Sequence, residues 1–198
     1  MGSHDVTVII PTIPPRAKTL LPRALHSVTR QTRPAAAISV AVDIHREGAP
    51  ATRQRALEAV KTPLVATLDD DDEFMPFHLR DLVQHMIETD SDYVYSWFRV
   101  RDAHGHVFME DPVFPETHFT EPFDPENPIE TTVTVLVKRD LAMDVGYHAL
   151  DRGEGNTGED YNFLLGCLKA GAKISHLVKH TWFWSHHGAN TSGRSDRW

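Results

Sequence analysis

Three short apolar, β-branched runs, each followed by a stretch with helical spacing, constrain this chain more than any other feature. Val6 to Ile10 is stopped by Pro11, and Leu20 to Thr32 follows with Leu21, Leu25 and Val28 at helical positions. Pro22 fits there only as a first-turn residue, because proline lacks the N–H that a helix interior needs. Ile38 to Val42 ends at Asp43, and Pro50 to Lys61 offers Ala51, Leu57 and Val60 as a helical apolar set. Leu64 to Leu68 runs into Asp69, and Pro76 to Thr89 reads as the third helix. Repeated strand-then-helix units predict an α/β fold: a Rossmann-type, mostly parallel sheet flanked by helices.

The second half changes character, which predicts a small antiparallel addition. Tyr93 to Val100 alternates like a strand, Asp102 to His106 reads as a turn, and Val107 to Met109 returns as a hairpin. Residues 111 to 128 hold Pro112, Pro115, Pro122, Pro125 and Pro128, which predicts an ordered irregular loop of the kind that serves as a lid. Thr131 to Val137 is another β-rich run, Glu159 to Ala170 a helix, and Ile174 to Val178 a short strand.

At 198 residues, with 40% hydrophobic and 24% charged residues, the chain suits one domain with a sizeable core. No apolar stretch approaches the roughly 20 residues that span a bilayer, and no signal-peptide core follows the N-terminus, so a cytoplasmic protein is expected. Met1-Gly2-Ser3-His4 reads as an expression-tag remnant. The single cysteine, Cys167, lies among Phe163, Leu164 and Leu168 and reads as a buried helix position rather than a nucleophile. A net charge of −8 argues against a broad nucleic-acid groove, although Arg16, Lys18, Arg23, Arg30 and Arg33 form a local basic cluster. A homo-oligomer is compatible with this composition.

Asp69, Asp70, Asp71 and Asp72 follow the third apolar run directly. Like charges a few Å apart raise one another's pKa and oppose folding, and a divalent cation removes that cost. Carboxylate oxygens suit Mg²⁺ or Mn²⁺. The alternatives are a solvated acidic loop or a helix N-terminal cap. Asp43 and Asp69 both stand at strand C-termini, where open α/β sheets bind ligands, so both acids are expected to face one crevice.

Two further constellations carry chemistry. Glu159 and Asp160 open the helix near residue 159 after a Gly-rich segment, either as caps or, for Asp160, as a general base. Near the end stands Trp182-Phe183-Trp184-Ser185-His186-His187. Adjacent histidines point to opposite sides of an extended chain, so one of His186 and His187 is expected at the site as a metal ligand. Asn190, Thr191, Ser192 and Arg194 offer donors for a phosphate clamp or lid, or else form a polar tail.

Taken in order, these residues resemble glycosyltransferase family 2, the nucleotide-sugar transferases of GT-A fold, from Val6 through about Trp184. The resemblance rests on Val8-Ile9-Ile10-Pro11-Thr12, on Leu21 to Val28 leading to Gln31-Thr32, on Val40-Ala41-Val42-Asp43, on Arg53-Gln54, on Leu68 to Asp72 with Pro76, and on Gly158-Glu159-Asp160. It implies a single glycosyltransferase domain over 1–198, with a nucleotide-binding half at 5–100 and an acceptor-side half at 101–198. It places Pro11, Thr12, Ile13, Arg16, Asp43, Arg53, Gln54, Asp69 and Asp70 at the nucleotide, with Asp43 at uracil N3. It makes Asp69 and Asp71 the acids of a DxD motif, with Asp71 the direct metal ligand, His187 ahead of His186 as the imidazole ligand, and Asp160 beside Glu159 the catalytic base. The implied donor is a UDP-sugar, the cofactor Mn²⁺ or Mg²⁺, and the outcome inversion. The acceptor stays open among a glycan, a protein and a modified nucleic-acid base.

The chain departs from the family pattern at Ile44-His45-Arg46-Glu47-Gly48, where a second acid and a Gly-Ser turn are usual, and at Gln54, where asparagine is common. A nucleotidyltransferase is the enzymatic alternative, but Pro11 to Arg16 lacks the glycines of its usual phosphate loop. A non-catalytic nucleotide- or carbohydrate-binding module is the other.

Overall fold

The computed structural model describes residues 2–110, 124–126, 133–148, 158–188 and 190. In chain order the elements are β1 (Val6–Thr12), α1 (Pro14–Thr19), α2 (Leu21–Thr29), β2 (Ala37–Val42), α3 (Ala49–Glu58), β3 (Leu64–Thr67), β4 (Glu73–Phe74), α4 (His78–Thr89), β5 (Tyr93–Asp102), β6 (Val107–Glu110), β7 (Val135–Lys138), α5 (Arg139–Val145), α6 (Glu159–Lys169) and β8 (Ile174–His186).

One sheet runs β2-β1-β3-β7-β5-β8-β4, with β6 attached to β5. β1 pairs in parallel with both β2 and β3, and β5 with β8. Each antiparallel pair among the described residues involves a strand from the second half, as the change in sequence character anticipates. The α/β, GT-A-like architecture expected from the strand-helix alternation is therefore the one observed.

Both faces of the sheet are covered, so β1 is buried along its whole length and reads as a continuous apolar run rather than an alternating one. On one face Val8, Ile10 and Leu68 pack with Val28 of α2 and Leu79 and Leu82 of α4. On the other, Ile9, Val65 and Tyr95 pack with Leu57 of α3 and Phe163, Leu164 and Cys167 of α6. Cys167 is fully enclosed, and burial pushes its thiol up to about 12, which makes it a poor nucleophile. The helix α6 approaches α5 closely at Gly166, where a Cβ atom would stand 2.5 Å from Val145 Cγ1.

Three elements were not expected. α1 presents no buried residue and so has no apolar stripe to reveal it, but Pro14 and Pro15 are compatible with a helix's first turn. β4 is two residues long, and α5 is a short helix begun without a side-chain cap. The strand expected over Ile174 to Val178 instead runs to His186. Its pairing with β5 shifts register between Ser96 and Phe98, opposite the polar Lys179-His180-Thr181 stretch. These bulges break the alternation by which a strand is read from sequence and keep the strand going. The calls on residues 111–123, on Thr131 and on the Gly-rich segment 153–157 fall outside the described residues. Among the described residues no helix is long and apolar enough to cross a membrane.

His78, at the start of α4, is fully buried, stacked on Phe74 at 3.9 Å and hydrogen-bonded through Nδ1 to Thr181 Oγ1 at 2.7 Å. Burial pushes its pKa down to about 3 from an ordinary 6.5. The unfolded chain therefore binds a proton that the folded chain refuses between those values, so stability falls as pH drops below about 6.5. His78→Gln removes this titration. Urea unfolding at pH 7.5 and pH 5 is expected to show a steeper loss for the natural chain than for the variant, by about 2 kcal/mol. Equal losses in the two proteins would contradict the assignment.

Candidate active site

The carboxyl ends of β1, β2 and β3 meet at one solvent-open cleft. β1 contributes Pro11 and Thr12 followed by Ile13, and α1 contributes Arg16. Asp43 stands where β2 ends, its carboxylate accepting the N–H groups of Glu47 at 2.9 Å and Gly48 at 2.8 Å. This folds the unusual Ile44 to Gly48 segment back over its own acid and delivers the chain into α3, with Gly48 at φ +91 supplying a backbone conformation that side chains disfavour. Asp43 thus remains a buried wall of the cleft, beside Thr52 of α3.

The four aspartates after β3 diverge sharply in environment. Asp69 is partly exposed and accepts Arg53 Nη2 at 2.8 Å. Asp70 is buried, accepting Thr12 Oγ1 at 2.5 Å and Arg16 Nη1 at 3.0 Å. Burial, with repulsion from Asp71, pushes its pKa up to about 6 against the opposing pull of Thr12 and Arg16. Asp71 meets Arg16 Nη1 and His187 Nε2, each at 3.1 Å, on the same oxygen, Oδ2. Burial and then Asp69 raise its pKa, and Arg16 and His187 oppose the rise. Asp72 is the deepest, accepting the Ser185 N–H at 2.8 Å, and burial followed by Asp71 and Asp69 holds its carboxyl well above the usual range.

Asp69, Asp71 and Asp72 each offer an oxygen within 4.8 Å of the other two. Hard oxygen donors with a neighbouring imidazole fit Mg²⁺ or Mn²⁺. Asp72 thus joins the cluster geometrically, while Asp70 is drawn away to Thr12 and Arg16.

The bond from Ser185 N–H to Asp72 also sets the register of the end of β8. Ser185 faces inward, His187 returns to Asp71, and His186 lies on the opposite side against Trp184 and Phe108. His187, not His186, is thus the imidazole bonded to Asp71. Asn190 locks the turn, its Oδ1 accepting the His187 N–H at 2.9 Å and its Nδ2 donating to Ser185 O at 2.7 Å, and it lines the cleft. Thr191, Ser192 and Arg194 lie outside the described residues.

Two residues expected at the nucleotide, Gln54 and Arg53, lie outside the lining of the cleft. Gln54 does not line the cleft; its Oε1 accepts the Tyr147 N–H at 2.9 Å and its Nε2 donates to Glu58 Oε1 at 3.3 Å. Arg53 is buried behind Asp69 and ties it to Glu159, with Asp160 at 3.6 Å from the same guanidinium. Glu159 and Asp160 occupy the first turn of α6 and do not line the cleft itself. Trp184 and Thr52 line it without having been assigned to the nucleotide, and no spacing rule marks either.

Residues 36–146 match the family model described as Glycosyl transferase family 2, which is more than half of the chain. The chain belongs to glycosyl transferase family 2. Among solved structures, that of S. aureus TarS 1-349 is similar at 19% identity with a TM-score of 0.69, over 91% of this chain and 60% of that one. TarS 1-349 in complex with UDP-GlcNAc gives 20% identity and a TM-score of 0.68, over 92% of this chain and 58% of that one. The complex with UDP gives 18% and 0.67, over 93% and 61%. The family 2 chain thus spans about 60% of the length of TarS 1-349. No curated protein sequence matches it.

The Thr12 hydroxyl stabilises a buried carboxylate, so Thr12→Val, which keeps the side-chain shape, is expected to move the Asp70 titration upward from about 6. A carboxyl whose folded pKa lies above its unfolded value loses stability as pH rises through it. The variant should therefore be less stable at pH 7.5 by about 1 kcal/mol, and closer to the natural chain at pH 4. Carboxyl NMR titration and urea unfolding check this, and an unchanged midpoint at pH 7.5 would oppose it.

Proposed function

We infer that this family 2 protein is a metal-dependent inverting glycosyltransferase that moves a sugar from a UDP-sugar to an acceptor hydroxyl. One observation carries the reading: Asp69 and Asp71 line a cleft whose wall is the buried Asp43, at the carboxyl ends of parallel strands, and His187 bonds to Asp71. TarS has been crystallised with UDP-GlcNAc and with UDP, which supports a uridine donor.

Asp71 and Asp69, with His187, would hold Mn²⁺ or Mg²⁺. When bound, the ion supplies Lewis-acid stabilisation of the diphosphate leaving group. Asp43, fixed by the Glu47 and Gly48 amides, presents an acceptor to the base edge, and Pro11, Thr12 and Ile13 form the floor beneath it. Arg16 adds positive charge beside the cleft where the diphosphate is expected, a preorganised counterweight to charge that grows as the glycosidic bond breaks. Asp160 takes the proton from the acceptor hydroxyl as that oxygen attacks the anomeric carbon from the face opposite the leaving group, which inverts the configuration. Asn190, which lines the cleft, would help to shield the donor from water. The acceptor is a hydroxyl-bearing glycan, protein or modified nucleic-acid base.

Asp160→Asn keeps the size of the side chain and removes its basicity. Sugar transfer is expected to fall by at least about a hundredfold while calorimetric UDP binding with Mn²⁺ stays within a few-fold. Asp71→Ala is expected to do the reverse in the binding assay, weakening Mn²⁺-dependent UDP affinity by about tenfold or more. Full turnover by Asp160→Asn, or UDP affinity indifferent to Mn²⁺ in the natural chain, would overturn the respective assignments.

A further inference from the structure

Arg53 is the most enclosed cation of the site, at 2% exposure, and it does not line the cleft. Its guanidinium reaches three carboxylates. Nη2 donates to Asp69 Oδ1 at 2.8 Å, Nη1 donates to Glu159 Oε1 at 2.8 Å, and the same Nη1 lies 3.6 Å from Asp160 Oδ1. Burial alone would favour the neutral form, but Asp69, Asp160 and Glu159 outweigh it and hold the charge firmly in place.

The aromatic surroundings continue the same connection. The guanidinium carbon lies 5.5 Å from the centre of the Tyr147 ring, and Tyr147 stacks on Phe163 at 4.4 Å with an interplanar angle of 17°. Phe163 lies one turn along α6 from Asp160, and Gln54, next to Arg53 in α3, fixes the Tyr147 backbone. One short segment of α3 therefore holds both the end of β3 and the start of α6.

We propose that Arg53 is a positioning residue for the acid pair: it sets Asp160 relative to Asp69 without touching the nucleotide. This rests on the glycosyltransferase reading above. Without the guanidinium, Asp69 and the two acids of α6 would repel one another across a poorly screened interior, and the first turn of α6 would open away from β3. The planar fork is essential because it serves two partners in fixed directions, whereas a lysine ammonium is a point charge on a flexible stem. Charge alone is therefore enough to keep the fold and insufficient to keep the geometry.

Arg53→Lys and Arg53→Met are compared with the natural chain in Mn²⁺-dependent UDP release from UDP-GlcNAc, in UDP calorimetry, in thermal melting and by crystallography. For Arg53→Lys the melting temperature is expected to stay near that of the natural chain, donor KM and UDP Kd within about threefold, and kcat reduced by about tenfold or more. The first turn of α6 is expected to shift from Asp69 by about 1 Å or more, a displacement of the size that costs catalysis. Arg53→Met is expected to lose more rate and some thermal stability; should it fail to fold, Arg53→Lys decides. An unchanged kcat with α6 unmoved would reduce Arg53 to a structural residue, and UDP binding weakened by about tenfold at unchanged kcat would make it a nucleotide contact. Either result overturns the proposal. Failure of the natural chain to bind UDP at all would instead remove the donor reading, and the α6 displacement would still report on the positioning role.

Discussion

Carboxylates gathered at one end of a sheet repel one another, and the site is arranged around that repulsion. Asp69, Asp70, Asp71 and Asp72 follow a single strand, and Glu159 and Asp160 are brought alongside from a helix some ninety residues later in the chain. Each acid is answered differently. Arg53 takes Asp69 and the helix acids, Arg16 and Thr12 take Asp70, Arg16 shares Asp71 with His187, and the Ser185 amide takes Asp72. Burial makes these contacts count, because a buried charge without a partner costs far more than an exposed one. Burial first, and then repulsion from neighbouring aspartates, raises the pKa values of Asp70, Asp71 and Asp72, a penalty that the protein's own cations offset only in part and leave as a remainder. A divalent ion between Asp69, Asp71 and His187 would offset that remainder, which gives binding of metal and nucleotide a thermodynamic reason as well as a catalytic one.

The fold serves this arrangement by stopping three parallel strands at one level. Thr12, Asp43 and Asp69 all stand at strand ends, and the helices that cover the two faces fix those ends rigidly. β8, parallel to β5 and antiparallel to the short β4, then brings its carboxyl end to the cluster. That return gives Asp72 its amide and Asp71 its imidazole, so a segment remote in sequence completes the site.

Much of this was legible before any coordinates. Apolar runs ending in acids mark Asp43 and Asp69 as strand-end residues; burial on both faces accounts for the run in β3, whereas β2 is an edge strand whose residues are exposed or half-buried. The period-two rule lets only one of His186 and His187 face the site and the resemblance favours His187, but the bond from Ser185 to Asp72 that fixes this register is encoded by no local pattern. The direction of Gln54 was hidden for a similar reason. Its partner is the backbone of Tyr147, and a helix sequence carries no mark of a backbone contact made ninety-three positions away. Arg53 was visible as part of a motif, but whether it faces a ligand or its own protein's acids depends on burial that arises only after α6 docks. α1 and the far part of β8 escaped because the first has no apolar stripe and the second is bulged.

The central claim is that Asp69, Asp71 and His187 form a cation site which, together with Asp43, receives a uridine diphosphate group. Anomalous diffraction from crystals grown with Mn²⁺ and UDP tests it directly. The expected result is a manganese peak bonded to Asp71 and His187, with the diphosphate on the ion and the uracil against Asp43. A peak elsewhere, or UDP bound in the cleft with no manganese at Asp71, would contradict the account.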